Sequence, residues 1–158
     1  MPSYATLRAT CRREPTIGVE FGARTVVVKH EQIKLQIWDT CGAEMFRAIV
    51  RSYYRESAGV LLVYDVTRRE SFDNISMWLE EVKKHNHGNL TAILVGNKCD
   101  RGSERQVSAE EAQAYAEEQG IMFIETSATT AQNVDAAFIA SAERVRSGRV
   151  VLICFPCA

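Results

Sequence analysis

The chain of 158 residues contains no Gly-Lys pair. A loop that wraps backbone N–H groups around phosphates and sends a lysine to the terminal ones needs G-x-x-x-x-G-K-[ST]. Here Lys29, Lys34, Lys83, Lys84 and Lys98 each follow another residue type, and Met1 to Glu14 holds no glycine that could serve a degenerate version. The chain also lacks an excess of charge of either sign. With 19 basic and 20 acidic residues the net charge is -1, which excludes a nucleic acid partner, because phosphate backbones demand a basic face. Arg8, Arg12 and Arg13 form too short a cluster to supply one. There is no apolar run long enough to span a bilayer and no apolar leader at the start. The five cysteines, Cys11, Cys41, Cys99, Cys154 and Cys157, are odd in number and follow no framework spacing. They exclude a disulfide scaffold and point to a reducing cytoplasm. There the glycosylation-like Asn89-Leu90-Thr91 carries no meaning.

What is present is an ordinary globular composition, 46% hydrophobic and 25% charged, in a length that suits one domain with a full core. Within it, Asn97-Lys98-Cys99-Asp100 ends the apolar run from Leu90 to Val95. Guanine presents N1–H and N2–H2 side by side, and one fixed carboxylate, Asp100, can accept both; adenine offers no such pair. Asn97 would brace the loop, and the Lys98 stem would lie over the ring. Alone, the four residues fit a solvated loop equally well. Three other loops break the tie. Trp38-Asp39-Thr40-Cys41-Gly42 closes another apolar strand, with Asp39 able to hold Mg2+ through water and Gly42 able to turn its N–H toward a γ-phosphate. Glu125-Thr126-Ser127-Ala128 closes a third, where the N–H groups of Ser127 and Ala128 can meet guanine O6. Thr16-Ile17-Gly18 offers the Thr16 hydroxyl as a further Mg2+ ligand. An open α/β sheet binds its ligand at the C-terminal edge of its strands, where these loops belong.

With those motifs in place, the chain resembles the Rab branch of the Ras-like small GTPases over about Pro15 to Val145. Ile17-Gly18-Val19-Glu20-Phe21, Lys34-Leu35-Gln36-Ile37-Trp38, Ser52-Tyr53-Tyr54-Arg55 and Leu62-Val63-Tyr64-Asp65-Val66-Thr67 carry the likeness. Phe21-Gly22-Ala23-Arg24-Thr25 and Thr130-Ala131-Gln132-Asn133-Val134 are most similar to the Rab-two branch of endoplasmic reticulum and Golgi traffic. The resemblance implies GTP or GDP and Mg2+ as ligands, Rab effectors or regulators as partners, and an endomembrane association of a cytoplasmic protein. It also implies that Phe21, Trp38 and Tyr53 form an apolar surface on which effectors pack.

The departures are as informative. The resemblance implies an α/β fold, a parallel sheet wrapped by helices, from which this chain lacks the family's first strand, phosphate loop and first helix. Residues 1–14 are then an unmatched arm, 15–146 an incomplete Rab-like domain and 147–158 an unmatched apolar tail. Only fifteen residues precede Thr16, fewer than the family uses there, and Ala9 stands where the family's guanine-stacking aromatic is expected. Ala43 replaces the glutamine that orients the attacking water. No prenylation site is recognisable, since Phe155 occupies the fourth position from the end, where a C-a-a-X box needs cysteine. Two functional classes follow. One is a GTPase switch of vesicle traffic with weak nucleotide binding and no hydrolysis; the other is a non-catalytic effector-binding module, or a truncated or spliced product without a function of its own.

Alternating patterns predict strands near Gly18 to Val28, Gln32 to Trp38, Val60 to Val66, Thr91 to Gly96 and Met122 to Thr126. Phe72, Ile75, Trp78, Leu79 and Val82 repeat at helical spacing over Arg69 to Lys84. Ser108 and Glu111 form a capping box for a helix that Gly120 ends, and Asn133 is expected to cap the last helix. If the family's strand order holds, the missing first strand leaves a central vacancy between the Gln32 and Val60 strands. The β-branched run Val150-Val151-Leu152-Ile153-Cys154-Phe155 has about the length to fill it, reached by a crossover helix from Asn133 to Arg146.

Overall fold

The computed structural model describes residues 19–40, 47–55, 57–86, 88–145 and 148–154. Among them the strands are β1 (Val19–Val28), β2 (Glu31–Thr40), β3 (Ser57–Asp65), β4 (Thr91–Asn97), β5 (Met122–Glu125) and β6 (Gly148–Cys154). The helices are α1 (Arg47–Tyr54), α2 (Arg69–Asp73), α3 (Ile75–His85), α4 (Ala109–Gln119) and α5 (Val134–Val145), with a 3-10 turn at Gly102–Glu104. The strands form one six-stranded sheet in the order β1-β2-β6-β3-β4-β5. β1 and β2 make an antiparallel hairpin, whereas every other pairing is parallel.

The C-terminal segment occupies the central vacancy. β6 pairs with β2 from Leu35↔Gly148 to Thr40↔Ile153, and with β3 from Ser57↔Arg149 to Val63↔Cys154, with a register shift between Ser57 and Gly59. It starts two residues earlier than Val150, and Phe155 lies outside the described residues. A run of Val, Val, Leu and Ile suits a central parallel strand, because such strands are enclosed on both faces and read as continuous apolar sequence.

Both faces of β3 show the same logic. Val60, Leu62 and Tyr64 point into one core with Tyr54, Ile75, Trp78, Leu79 and Val82; Leu61 and Val63 point into the other with Ile93, Val95, Val134 and Phe138. The hairpin is enclosed on one side only. Ile33, Leu35 and Ile37 are buried while Lys34 and Gln36 face outward, the alternation of a half-covered antiparallel pair. Its two-residue turn places Lys29 and His30 at φ 49 and 70, the left-handed pair that a tight hairpin needs.

Three sequence expectations need correction. The helix expected over Arg69 to Lys84 runs as α2 and α3, interrupted at Asn74, which itself keeps helical dihedrals (φ -76, ψ -11). Ser108 caps α4 as expected, accepting from Glu111 N at 3.1 Å, and Gly120 ends it at φ 65. The reciprocal half of that box is replaced, because the Glu111 carboxylate is drawn into a bidentate pair with Arg69 at 2.6 and 2.7 Å. Asn133 takes a left-handed backbone (φ 55), and its Nδ2 donates to Glu125 O at 2.9 Å, so its side chain ties the helix start to β5.

The helix α5 lies tight against β3. A Cβ at Gly59 would sit 3.0 Å from Val145 Cγ2 and 3.2 Å from Ser141 Oγ. Gly59→Ala therefore overpacks this crossing, and a loss of about 1–3 kcal/mol is expected from urea unfolding. An unchanged midpoint would show that α5 moves aside freely.

Candidate functional site

The parallel strands all end at one edge of the sheet, where Thr40 pairs with Ile153, Val63 with Cys154, Asp65 with Asn97 and Gly96 with Glu125. Here the chain leaves the sheet repeatedly within a short span, the arrangement in which open α/β sheets hold ligands.

Asn97, buried at the end of β4, braces this edge. Its Oδ1 accepts from Ala128 N at 3.1 Å and from Thr126 Oγ1 at 3.3 Å, and its carbonyl accepts from Val66 N at 3.0 Å. One amide thus fixes the loops after β3, β4 and β5 relative to each other. Backbone bonds repeat the tie: Thr126 N donates to Gly96 O at 2.8 Å and Cys99 N to Thr126 O at 3.1 Å. Close approach is possible because position 96 is glycine; a Cβ there would lie 2.8 Å from the Tyr64 hydroxyl. Burial, reinforced by the charge of Glu125, pushes the Tyr64 phenol far above its ordinary range, so it stays neutral.

Lys98 turns into the left-handed region (φ 65), and its Nζ reaches Asp65 Oδ2 at 2.6 Å. The other Asp65 oxygen accepts from Thr67 N at 2.9 Å and Thr67 Oγ1 at 2.6 Å. Burial alone would raise the Asp65 pKa, but the hydrogen bonds from Lys98 and Thr67 and the lysine charge outweigh it and hold it below the usual carboxylate value. The lysine head is thereby pinned. A turn closed by Arg101 N to Lys98 O at 2.9 Å leaves Asp100 exposed between them. An exposed carboxylate beside a pinned lysine fits a flat base that offers two adjacent N–H donors.

The third loop is held from within. Ser127 and Ala128 are buried, and Ser127 N donates to Gln132 O at 3.0 Å while Thr130 N donates to Ser127 Oγ at 3.0 Å. Beneath them Glu125 forms a bidentate pair with Arg105 at 2.5 and 3.1 Å. Cys99, in the middle of the Asn97 loop, is a free thiol whose pKa is raised by burial and by the nearby Glu125 and Asp100 charges.

Of the residues assigned to phosphate and Mg2+, Asp39 is buried at the end of β2 beside Thr40. Thr16, Gly42 and Ala43 lie outside the described residues. The aromatic set is contiguous: Phe21 stacks on Trp38 at 4.8 Å and Trp38 on Tyr53 at 4.7 Å between ring centroids, with Phe21 57% exposed. Sequence reasoning assigned no role to Asp65 or Thr67, although an aspartate ending a wholly apolar strand, followed two residues later by threonine, is the pattern of a self-bonded carboxylate.

The Asp65–Lys98 pair generates a pH prediction. Because the folded pKa of Asp65 is depressed, the stability it contributes is present above its unfolded value and is lost as pH falls through the lower, folded one. The urea midpoint should hold near neutrality and decline below about pH 4. Asp65→Asn should cost about 2–4 kcal/mol at pH 7, since it removes the buried carboxylate charge that faces the Lys98 ammonium and accepts twice from Thr67, and should flatten part of that acid decline. An acid limb of unchanged slope in Asp65→Asn would show that other carboxylates carry it.

A Ras family model matches residues 3–147 of the chain. The family's ligands are GTP or GDP with Mg2+. The match spans the loops at the sheet edge and most of the sheet that positions them, and the chain accordingly belongs to the Ras family of small GTPases.

Proposed function

We propose that this chain is a Rab-like protein of vesicle traffic that keeps the guanine-reading loop and the effector-facing surface but binds GTP weakly and does not hydrolyse it. The observation that carries the reading is the aromatic row Phe21–Trp38–Tyr53, stacked at 4.8 and 4.7 Å on the open face of the hairpin. Folding ordinarily hides such rings; a row left partly in water, backed by a firm sheet, suits an apolar partner surface. On this reading Asn97, Lys98 and Asp100 serve the base, and Ser127 and Ala128, whose N–H groups here donate to Gln132 O and Asn97 Oδ1, serve it only after turning from those partners; Thr16, Asp39 and Gly42 serve the phosphate and Mg2+ side. Golgi or endoplasmic reticulum membranes are the proposed destination, reached through Rab effectors or regulators.

The weak-binding part follows from hydrogen-bond arithmetic. Without a Gly-Lys phosphate loop in the 158 residues, roughly four to six charge-assisted hydrogen bonds of about 1.5–3 kcal/mol each are missing. The deficit is on the order of 6–18 kcal/mol, or at least roughly four decades in affinity. The 158-residue protein should therefore release no stoichiometric GDP or GTP when denatured and chromatographed. Finding one nucleotide per chain would overturn this assignment.

Hydrolysis is opposed twice, by the missing charge clamp and by Ala43, which carries no group to orient water. Ala43→Gln alone should leave GTP turnover at the no-enzyme rate in a phosphate-release assay. Turnover above that rate would mean that the phosphate site is complete.

A further inference from the structure

β2 and β3 are not neighbours in the sheet; among the described residues the strand pairing between the hairpin and the β3–β4–β5 body passes through β6. At mid-strand, Trp38 pairs with Val151, which pairs with Val60. The aromatic row crosses this seam. Phe21 and Trp38 ride on the hairpin, whereas Tyr53 rides on α1, which belongs to the other side. Tyr54 is sealed in the core with Val60, Leu62 and Trp78. Its carbonyl accepts from Ser57 Oγ at 2.8 Å and Asn86 Nδ2 at 2.7 Å, and Arg51 pairs with Glu81 of α3 at 2.8 Å. The Trp38–Tyr53 contact is thus made between two bodies that β6 joins.

We propose that docking of the C-terminal strand β6 assembles this aromatic surface, so that partner binding at the surface and order of β6 are thermodynamically coupled. The coupling rests on reading the surface as a partner site. If β6 leaves, the slot cannot remain closed and empty, because each backbone group left buried without a partner costs about 1–3 kcal/mol. Water must enter, and the hairpin swings off the body to admit it. Among the described residues the ties that oppose this include the Arg24–Asp135 ion pair at 2.6 Å, the Arg24 guanidinium over the Phe138 ring at 5.3 Å, the packing of Trp38 on the core of the body, and the apolar core in which Ile33, Leu35 and Ile37 lie with Phe138 and Ala142 of α5. These are side-chain ties without a direct backbone ladder between β2 and β3, whereas within the body β3, β4 and β5 share continuous ladders and two covered faces. Opening at the seam is therefore cheaper than global unfolding, the condition for a local cooperative unit. By reciprocity, a ligand that requires both Trp38 and Tyr53 tightens β6, and loosening β6 weakens the ligand.

Native-state hydrogen exchange of the unmodified chain in low urea tests the seam. Amides of β1, β2 and β6 should share one opening, at least about tenfold more frequent than that of β4 amides. A single common opening for all six strands would overturn the proposal. A second test uses the two tryptophans, one on each body. Trp78→Phe leaves Trp38 as the hairpin reporter, and Trp38→Phe leaves Trp78 as the core reporter. Val151→Pro removes an N–H from the strand that has no open edge. In that background Trp38 emission should shift to that of a solvated indole while Trp78 keeps its parent spectrum. Retention of the parent Trp38 emission would show that the surface forms without β6. These readouts use no partner, so absence of effector binding would refute the partner reading without touching the seam.

Discussion

A central strand position in a parallel sheet cannot stay empty. Its two flanking strands each present a row of N–H and C=O groups which, once covered by helices, have no water to turn to. In this molecule that constraint is met by the last part of the sequence, β6, inserted between β2 and β3. The solution has a geometric consequence. Strands that run parallel deliver their C-terminal ends to one edge, so β6 arrives beside Asp39–Thr40 on one flank and Leu62–Val63 on the other. The edge that the loops after β3, β4 and β5 share is therefore also the edge at which β6 emerges.

On the far side of that edge the architecture is governed by polar closure. The loops after β3, β4 and β5 could move independently if only apolar strands held them. Asn97 prevents this, since its amide oxygen is shared by Thr126 and Ala128, and Asp65 prevents it a second time by pinning Lys98. A buried carboxylate–ammonium contact gains little net stability, because desolvation offsets most of the Coulomb attraction. Its worth here lies in geometry: two loops are fixed at 2.6 Å without occupying Asp100, which stays exposed. The cost of ordering the loop is met during folding, so any ligand meeting Asp100 would find it already ordered.

How much of this was legible in the sequence follows from which forces are local. The five internal strands were readable because each is an apolar or alternating run whose period depends only on its own residues, and their ends fell within a few positions of those observed. The place of β6 was readable for a different reason: a β-branched run and a vacancy of similar length, each a liability alone, remove one another. Asn133 was half misread: it stands directly before α5 and its carbonyl accepts from Ala137 N at 3.0 Å, but its left-handed φ of 55 turned the side chain toward Glu125. Glu111 was half misread because Arg69, 42 residues away, competes for its carboxylate. The Asp65–Lys98 bond was not foreseen, since nothing in either motif names the other as partner.

The chain therefore divides its certainty along a physical line. The loops after β4 and β5 are held by side chains whose partners are other side chains and backbone groups of the same body. The aromatic row is built across two bodies, Phe21 and Trp38 on the hairpin and Tyr53 on α1, and its shape depends on the pairing between them. A surface of the second kind can respond to events elsewhere in the sheet, whereas a loop of the first kind cannot. On the reading proposed above, conformational control in this fold belongs at the seam, where β6 lies, and base recognition, if the loop serves it, belongs at the tied edge of β4.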